Sequence, residues 1–299
     1  MISIIGGAGF IGTNIVNRLG HKYEFKIFDN GFNPSGHIDF DSLEIGTASH
    51  EELKDFLKGS DIVINLAGHT RVLESIEDPN LSFTYNVKGF FDVLMVSKEL
   101  GIKKVINASS GGAIIGDAVP PIDENFLPNP ISPYGASKLC NEAFASAFSG
   151  SYGMNIINLR FSNVYGKYCI NKQSAVAKFI KQIIRKEKIQ VYGDGNQTRD
   201  FLFVEDLVDA LECCITIDDI SGVFQLGSGV PTSVNELLET LIKFSKKNLE
   251  ISYIPANKGE IENNYANIKK AKDTFGWRPQ TSLEIGIQKT FDYLSKNVS

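Results

Sequence analysis

The chain has 299 residues, 42% hydrophobic and 22% charged, which bounds it to one large or two smaller soluble globular domains. Its 30 basic and 35 acidic residues give a formal charge of -5, which argues against a nucleic-acid partner, because phosphate binding favours a basic face. Residues 1–5 lack a basic leader and no apolar run approaches the roughly 18 residues of a membrane span. No membrane is expected, and the cytoplasm is the expected address. Cys140, Cys169, Cys213 and Cys214 have no metal-ligand spacing, so no metal is expected and the thiols should stay reduced.

In chain order, residues 2–5 read as an apolar strand and 10–19 as a helix. The turn Gly6-Gly7-Ala8-Gly9-Phe10-Ile11-Gly12 joins them. A strand at 25–28 ends in Asp29-Asn30. Strand 43–45, helix 50–57 and strand 62–66 follow, the last closing on Leu66-Ala67-Gly68. A long helix at 81–100 precedes strand 105–108, helix 133–147 and strand 156–159. Short β-rich runs separated by helices predict an α/β fold, a doubly wound parallel sheet covered on both faces. After Arg160 glycine and proline punctuate the pattern. Helices are predicted at 174–185, 205–217, 234–246 and 282–294, in a smaller lobe with some segments returning to the sheet.

The glycines of Gly6-x-x-Gly9-x-x-Gly12 permit a tight turn, close backbone approach to a pyrophosphate, and close helix–strand packing. The helix that starts at Phe10-Ile11 faces the phosphates with its N-terminus. Asp29, beside Asn30, ends the second strand, where a carboxylate accepts from adenosine-ribose hydroxyls and repels a 2′-phosphate. The pattern favours NAD over NADP. Leu66, Ala67 and Gly68 let the backbone approach the cofactor. Asn86 reads either as a satisfied polar group under the nicotinamide half or as a surface amide.

Tyr134 and Lys138 stand one helical turn apart in Ser132-Pro133-Tyr134-Gly135-Ala136-Ser137-Lys138. A tyrosine with a pKa near 10 is a poor base at neutral pH, and an adjacent ammonium favours phenolate over phenol. A dinucleotide turn plus such a pair is equipment for moving a hydride and a proton together.

These residues resemble the extended short-chain dehydrogenase/reductase family, in its NAD-dependent nucleotide-sugar epimerase/dehydratase branch. The likeness covers nearly the whole chain. It includes Ala108-Ser109-Ser110, the block from Leu159 to Gly166, the block from Val191 to Phe201, and Phe275-Gly276-Trp277-Arg278-Pro279. The resemblance implies a Rossmann domain over 1–166 and 198–226, and a sugar-nucleotide domain over 167–197 and 227–299. It implies Tyr134 as acid/base, Lys138 on the cofactor ribose, and Ser110 on the reacting sugar hydroxyl, with Ser109 the alternative beside the cofactor. Asn163, Val191 and Tyr192 would meet the sugar nucleotide, and Arg199 a phosphate, unless it pairs with Asp194 or Asp200. Asn257 replaces a usual arginine, for which Lys258 would substitute. Asn264 would border the sugar. Ile114-Ile115-Gly116 stands where Val-Tyr-Gly is usual, Lys167 replaces a proline, and the acidic residue usual after the third strand is missing around Gly46-Thr47.

Dehydratases of this branch carry Asp-Glu after the Ser/Thr, and decarboxylases typically keep a glutamate. Here Gly111 and Gly112 occupy those positions. The resemblance therefore implies 4-epimerisation of a UDP-sugar, UDP-GlcNAc/UDP-GalNAc or UDP-glucose/UDP-galactose, through a transient 4-keto sugar. The alternatives are a nucleotide-sugar 4-ketoreductase or another NAD-dependent nucleotide-sugar dehydrogenase or dehydratase, and a non-catalytic NAD-binding protein. It also implies a homodimer paired through the 81–100 helix and the helix bearing Tyr134. Phe90, Val93, Leu94 and Val96 are candidates for that interface or for core.

Overall fold

The computed structural model describes residues 1–31, 38–245, 249–255 and 262–298. Strands and helices alternate through the first half: β1 (Ile2–Ile5), α1 (Phe10–Leu19), β2 (Phe25–Asp29), β3 (Asp41–Ser42), α2 (His50–Leu57) and β4 (Ile62–Asn65). Then come α3 (Val72–Glu77), α4 (Pro79–Ser82), a π-helical segment (Phe83–Lys88), α5 (Gly89–Glu99), β5 (Lys104–Ser110), α6 (Gly111–Ile115), α7 (Pro133–Tyr152) and β6 (Asn155–Phe161). The remainder comprises β7 (Asn163–Tyr165), α8 (Ala175–Arg185), β8 (Ile189–Tyr192), β9 (Thr198–Arg199), β10 (Phe201–Phe203), α9 (Val204–Thr216) and β11 (Gly222–Leu226). It closes with β12 (Thr232–Ser233), α10 (Val234–Ser245), β13 (Ile251–Ile254), α11 (Lys269–Phe275) and α12 (Leu283–Asn297).

Seven strands make one sheet in the order β11-β6-β5-β4-β1-β2-β3, and every pairing is parallel. This is the Rossmann-type doubly wound α/β sheet. Strand order reverses between β1 and β4, so the ligand crevice opens there, beyond the carboxyl ends of the strands. Outside the sheet, β8 pairs with β13 and β7 with β10 in parallel, and β9 with β12 antiparallel.

Several elements differ from the sequence pattern. The third strand forms at Asp41–Ser42 rather than 43–45, although Leu43 and Ile45 are buried. Their apolarity marks core contact, which periodicity alone does not separate from a strand. The helix expected over 81–100 begins at Pro79, whose amide-less nitrogen suits a first turn, and Asp78 caps it by accepting from Asn80 N at 3.0 Å. A π turn interrupts it. α3, α6 and the two- to four-residue strands of the second half are too short to leave a period.

Alternate residues of the sheet face two apolar layers. Ile4, Ile64, Ile106 and Ile157 pack with α1 and α9 residues on one side, and Ile5, Val63, Val105 and Ile156 pack with α2 and α5 residues on the other. The second face turns polar toward the crevice. Asn65 Nδ2 donates to Asn107 Oδ1 and Asn107 Nδ2 to Asn158 Oδ1, both at 2.9 Å, linking three neighbouring strands.

Asp200, fully buried, ties three segments of the second half together. Its carboxylate accepts from Ser228 N (2.6 Å), Ser228 Oγ (2.7 Å), Gly229 N (3.1 Å) and Ala266 N (3.1 Å). Hydrogen bonds to a charged group contribute more than neutral ones, and buried amides left without an acceptor are costly. Asp200→Ala is expected to lower unfolding free energy by about 3 kcal/mol. A urea midpoint equal to that of the wild type would refute this.

Candidate active site

The glycine turn is built for close approach. Gly6 has φ +78°, and a Cβ there would stand 2.7 Å from Ala67 N across the crevice. A Cβ on Gly12 would stand 2.3 Å from Gly7 O, so α1 packs on the turn only with glycine there. Gly9 begins α1 without a side-chain cap, and no acidic residue lies in its first turn. The first amides of α1 are therefore disposed toward an anion. Phe10 is buried, and Ile11, Leu66, Ala67 and Gly68 are half-buried around the opening. Asp29 accepts from Ala8 N on Oδ2 and from Gly31 N on Oδ1, each at 3.0 Å, so it braces the turn as well as facing the crevice beside exposed Asn30. These residues fit a dinucleotide: a cradle that any side chain would fill, an uncapped helix start and a carboxylate at the ribose end.

Asn86, on the π segment, is 1% exposed and fully engaged. Its Oδ1 accepts from His69 N at 2.7 Å, and its Nδ2 donates to His69 O (3.0 Å) and Ser137 Oγ (2.8 Å). It pins the loop after β4 to α7 and is no surface amide. His69 Nε2 lies 3.0 Å from Glu74, which also pairs with Arg71.

Tyr134 and Lys138 share the first turns of α7. Ser132 caps that helix by accepting from Gly135 N at 3.1 Å, with Pro133 in the first position. Ser75 Oγ accepts from Tyr134 N at 3.2 Å. Lys138, 4% exposed, donates to Ala108 O at 2.9 Å, and its Nζ lies 5.9 Å from the Tyr134 ring centre. Ser110, ending β5, stands beside the Tyr134 phenol. Burial raises that phenol above its ordinary range, and the Ser110 hydroxyl pulls it partly back. Burial thus opposes the phenolate-favouring effect expected of Lys138. Burial also lowers Lys138, to about 8, against the upward pull of Glu142.

The structure separates the two serines. Ser109 is buried and donates to Glu142 Oε1 at 2.6 Å, while Ser110 faces Tyr134. Glu142 also receives Arg160 Nε at 2.9 Å and Arg160 Nη2 at 2.7 Å in a buried bidentate pair. Sequence reading overlooked Glu142, although the four-residue steps from Tyr134 through Lys138 put it on the same helix face. It also overlooked Gln225, whose Oε1 would lie 2.5 Å from a Cβ on Gly111.

Asn163 is exposed and donates from Nδ2 to Asp200 O at 3.2 Å. The Asn264 amide lies against Gly112, where a Cβ would stand 2.5 Å from its Nδ2. Arg199 Nη1 donates to Thr198 O (2.8 Å) and Glu262 O (3.3 Å). Along β8, Val191 turns its side chain into the core, and Tyr192 on the opposite face is 37% exposed. Asn257 and Lys258 lie outside the described residues. Among the described residues no group of three or more His, Cys, Asp or Glu is placed to hold a metal ion, and no helix is long and apolar enough to cross a membrane.

This geometry fits a dinucleotide bound at the carboxyl edge of a Rossmann sheet. The model of the NAD dependent epimerase/dehydratase family matches residues 2–227, and the chain belongs to that family. It is 34% identical over 99% of both chains to a putative UDP-glucose 4-epimerase of Methanocaldococcus jannaschii. The crystal structure of UDP-glucose 4-epimerase with UDP-glucose from Thermotoga maritima superposes with a TM-score of 0.93, at 32% identity and 99% coverage of both chains. That of UDP-N-acetylglucosamine 4-epimerase from Methanobrevibacter ruminantium M1, in complex with UDP-N-acetylmuramic acid, gives 0.92 at 27% identity, covering 99% of this chain and 98% of that one.

A lysine lowered from 10.5 to about 8 destabilises the fold below pH 8, because the unfolded chain binds its proton more tightly. Lys138→Met should therefore stabilise the protein by about 2 kcal/mol at pH 7, after the lost bond to Ala108 O is discounted. The gain should shrink as pH rises from 8 toward 10.5, where the wild-type lysine is neutral in both states. Denaturant midpoints across that range check both statements; a Met variant no more stable at pH 7 would refute them.

Proposed function

We propose that the protein interconverts the C4 epimers of a UDP-sugar. The observation that carries this reading is the pair Gly111–Gly112. The space beside them is filled by Gln225 and Asn264, so among the described residues no second acid/base pair takes the place beside Ser110 that the glycines occupy. One serine, one tyrosine and one lysine remain, and they suit the oxidation of an alcohol and the reduction of a ketone. Tyr134 takes the proton of the sugar 4-hydroxyl, which Ser110 orients, and later returns it. Lys138 holds the cofactor ribose and its charge favours the phenolate. The chemistry NAD supplies when bound is to accept the C4 hydride and give it back to the opposite face. Gly6, Gly9, Gly12 and Asp29 hold its pyrophosphate and adenosine ribose. Asn163, Tyr192, Arg199 and Asn264 meet the sugar nucleotide. A site closed around both molecules supplies orientation and keeps the ketone from escaping.

The moderate size of Asn264 leaves UDP-GlcNAc/UDP-GalNAc and UDP-glucose/UDP-galactose as the pairs to supply. Purified protein should interconvert at least one pair with cofactor retained through purification. A strict need for added NADH would make it a ketoreductase, and no turnover of any pair would remove the epimerase. Tyr134→Phe should lower kcat by about 10²–10⁴-fold while sparing folding and NAD binding. Unchanged activity would refute Tyr134 as the base.

The division into 1–166 with 198–226 and 167–197 with 227–299 has the support that all seven strands of the large sheet fall in the first set, and the β8–β13 pair in the second. We also place the protein in the cytoplasm, where its four unpaired thiols stay reduced, and pair two copies through α5 and α7. Phe90, Val93, Leu94 and Val96 are core, at 0–1% exposure. The free face instead presents Phe83, Met95, Phe144 and Tyr152, 37–62% exposed. Phe144→Glu should convert a dimer into a monomer by light scattering; a monomeric wild type would refute the pairing.

A further inference from the structure

Lys138 is an ammonium almost without water, and its hydrogen bond to Ala108 O is not a charge partner. Glu142 stands one turn further along the same face of α7, and its carboxylate binds Ser109, the neighbour of the residue whose carbonyl holds Lys138 Nζ, so its charge acts on Lys138. Three donors fix that carboxylate from β5 and β6: Ser109 Oγ and Arg160 Nε on Oε1, and Arg160 Nη2 on Oε2. Ser109 and Arg160 are register partners on neighbouring strands, so the sheet itself sets where the negative charge lies. Glu142 is 6% exposed and Arg160 3%. In so dry a setting water screens little, and a fixed charge acts strongly on its neighbour.

We propose that Glu142, clamped by Ser109 and Arg160, is a positioning residue that keeps Lys138 protonated where the cofactor ribose and the Tyr134 phenol need it. The inference rests on the assignment of Lys138 to that site. The other titratable or charged groups around Lys138 are Tyr134 on its own helix, Arg160 on β6 behind Glu142, and His69 with Glu74 beyond Gly68, whose Cβ position lies 3.7 Å from Lys138 Nζ. Glu142 raises Lys138 against the burial that lowers it, so removing the carboxylate leaves burial unopposed. The lysine then loses its proton at a lower pH.

The test measures two profiles against pH in wild type and Glu142→Gln: NAD affinity of the cofactor-stripped protein by calorimetry, and kcat for the active UDP-sugar pair. In Glu142→Gln the pH at which NAD affinity falls, and the alkaline limb of kcat, should both move down by about one unit. Glu142→Asp should restore most of the shift. If Glu142→Gln alone does not fold, because Arg160 is left buried and unpaired, the double substitution Glu142→Gln with Arg160→Met makes the same measurement. A midpoint for NAD binding at the wild-type pH in whichever of these variants folds overturns the inference. A wild type inactive on every UDP-sugar, but with the shifted NAD midpoint in the variant, overturns the epimerase reading and leaves this one standing.

Discussion

A lysine held away from water, with a clamped carboxylate one helical turn on, is the constraint around which the crevice is arranged. Burial alone drives such a group toward neutrality. Here the opposing charge comes from the same helix, and that charge is in turn fixed by two strands of the sheet. The fold accepts the cost of desolvating three charged side chains in one small region. Structural ion pairs of this depth seldom add stability over apolar packing. Their presence beneath Tyr134 and Ser110 makes sense as placement: the helix, the strands and the chemistry share one set of contacts.

Much of this was legible in the residues. Glycine spacing marks a turn that no side chain can enter, and the distances at Gly6 and Gly12 give the reason. The four-residue step from Tyr134 to Lys138 survives as a shared helix face because α7 is long and well capped. The π segment was not legible. Its extra residue per turn leaves no period in the sequence, yet it directs Asn86 inward against His69 and Ser137. The resemblance favoured Ser110 over Ser109, but the physical reason lies in the fold, in strand pleat and in a glutamate 33 residues away that takes up Ser109. The small strands of the second half escaped for a simpler reason: two to four residues carry too little pattern.

Gly111 and Gly112 illustrate how an absence in the sequence becomes a presence in the structure. Read alone, they mean that a second acid/base pair is missing. In the fold their space belongs to the amides of Gln225 and Asn264. A larger residue at either position would have to displace a polar side chain from the second half of the chain. Glycines and amides from the two halves of the chain are thus fitted to one another.

The row of asparagines across β4, β5 and β6 has a further consequence. Apolar contacts between strands tolerate sliding, because one branched side chain resembles the next. Amide-to-amide bonds do not. If any of the three strands slipped by one residue, its asparagine would swing to the opposite layer and confront isoleucines. The row therefore works as a key in a lock, fixing strand alignment at the carboxyl end of the sheet, where the crevice opens.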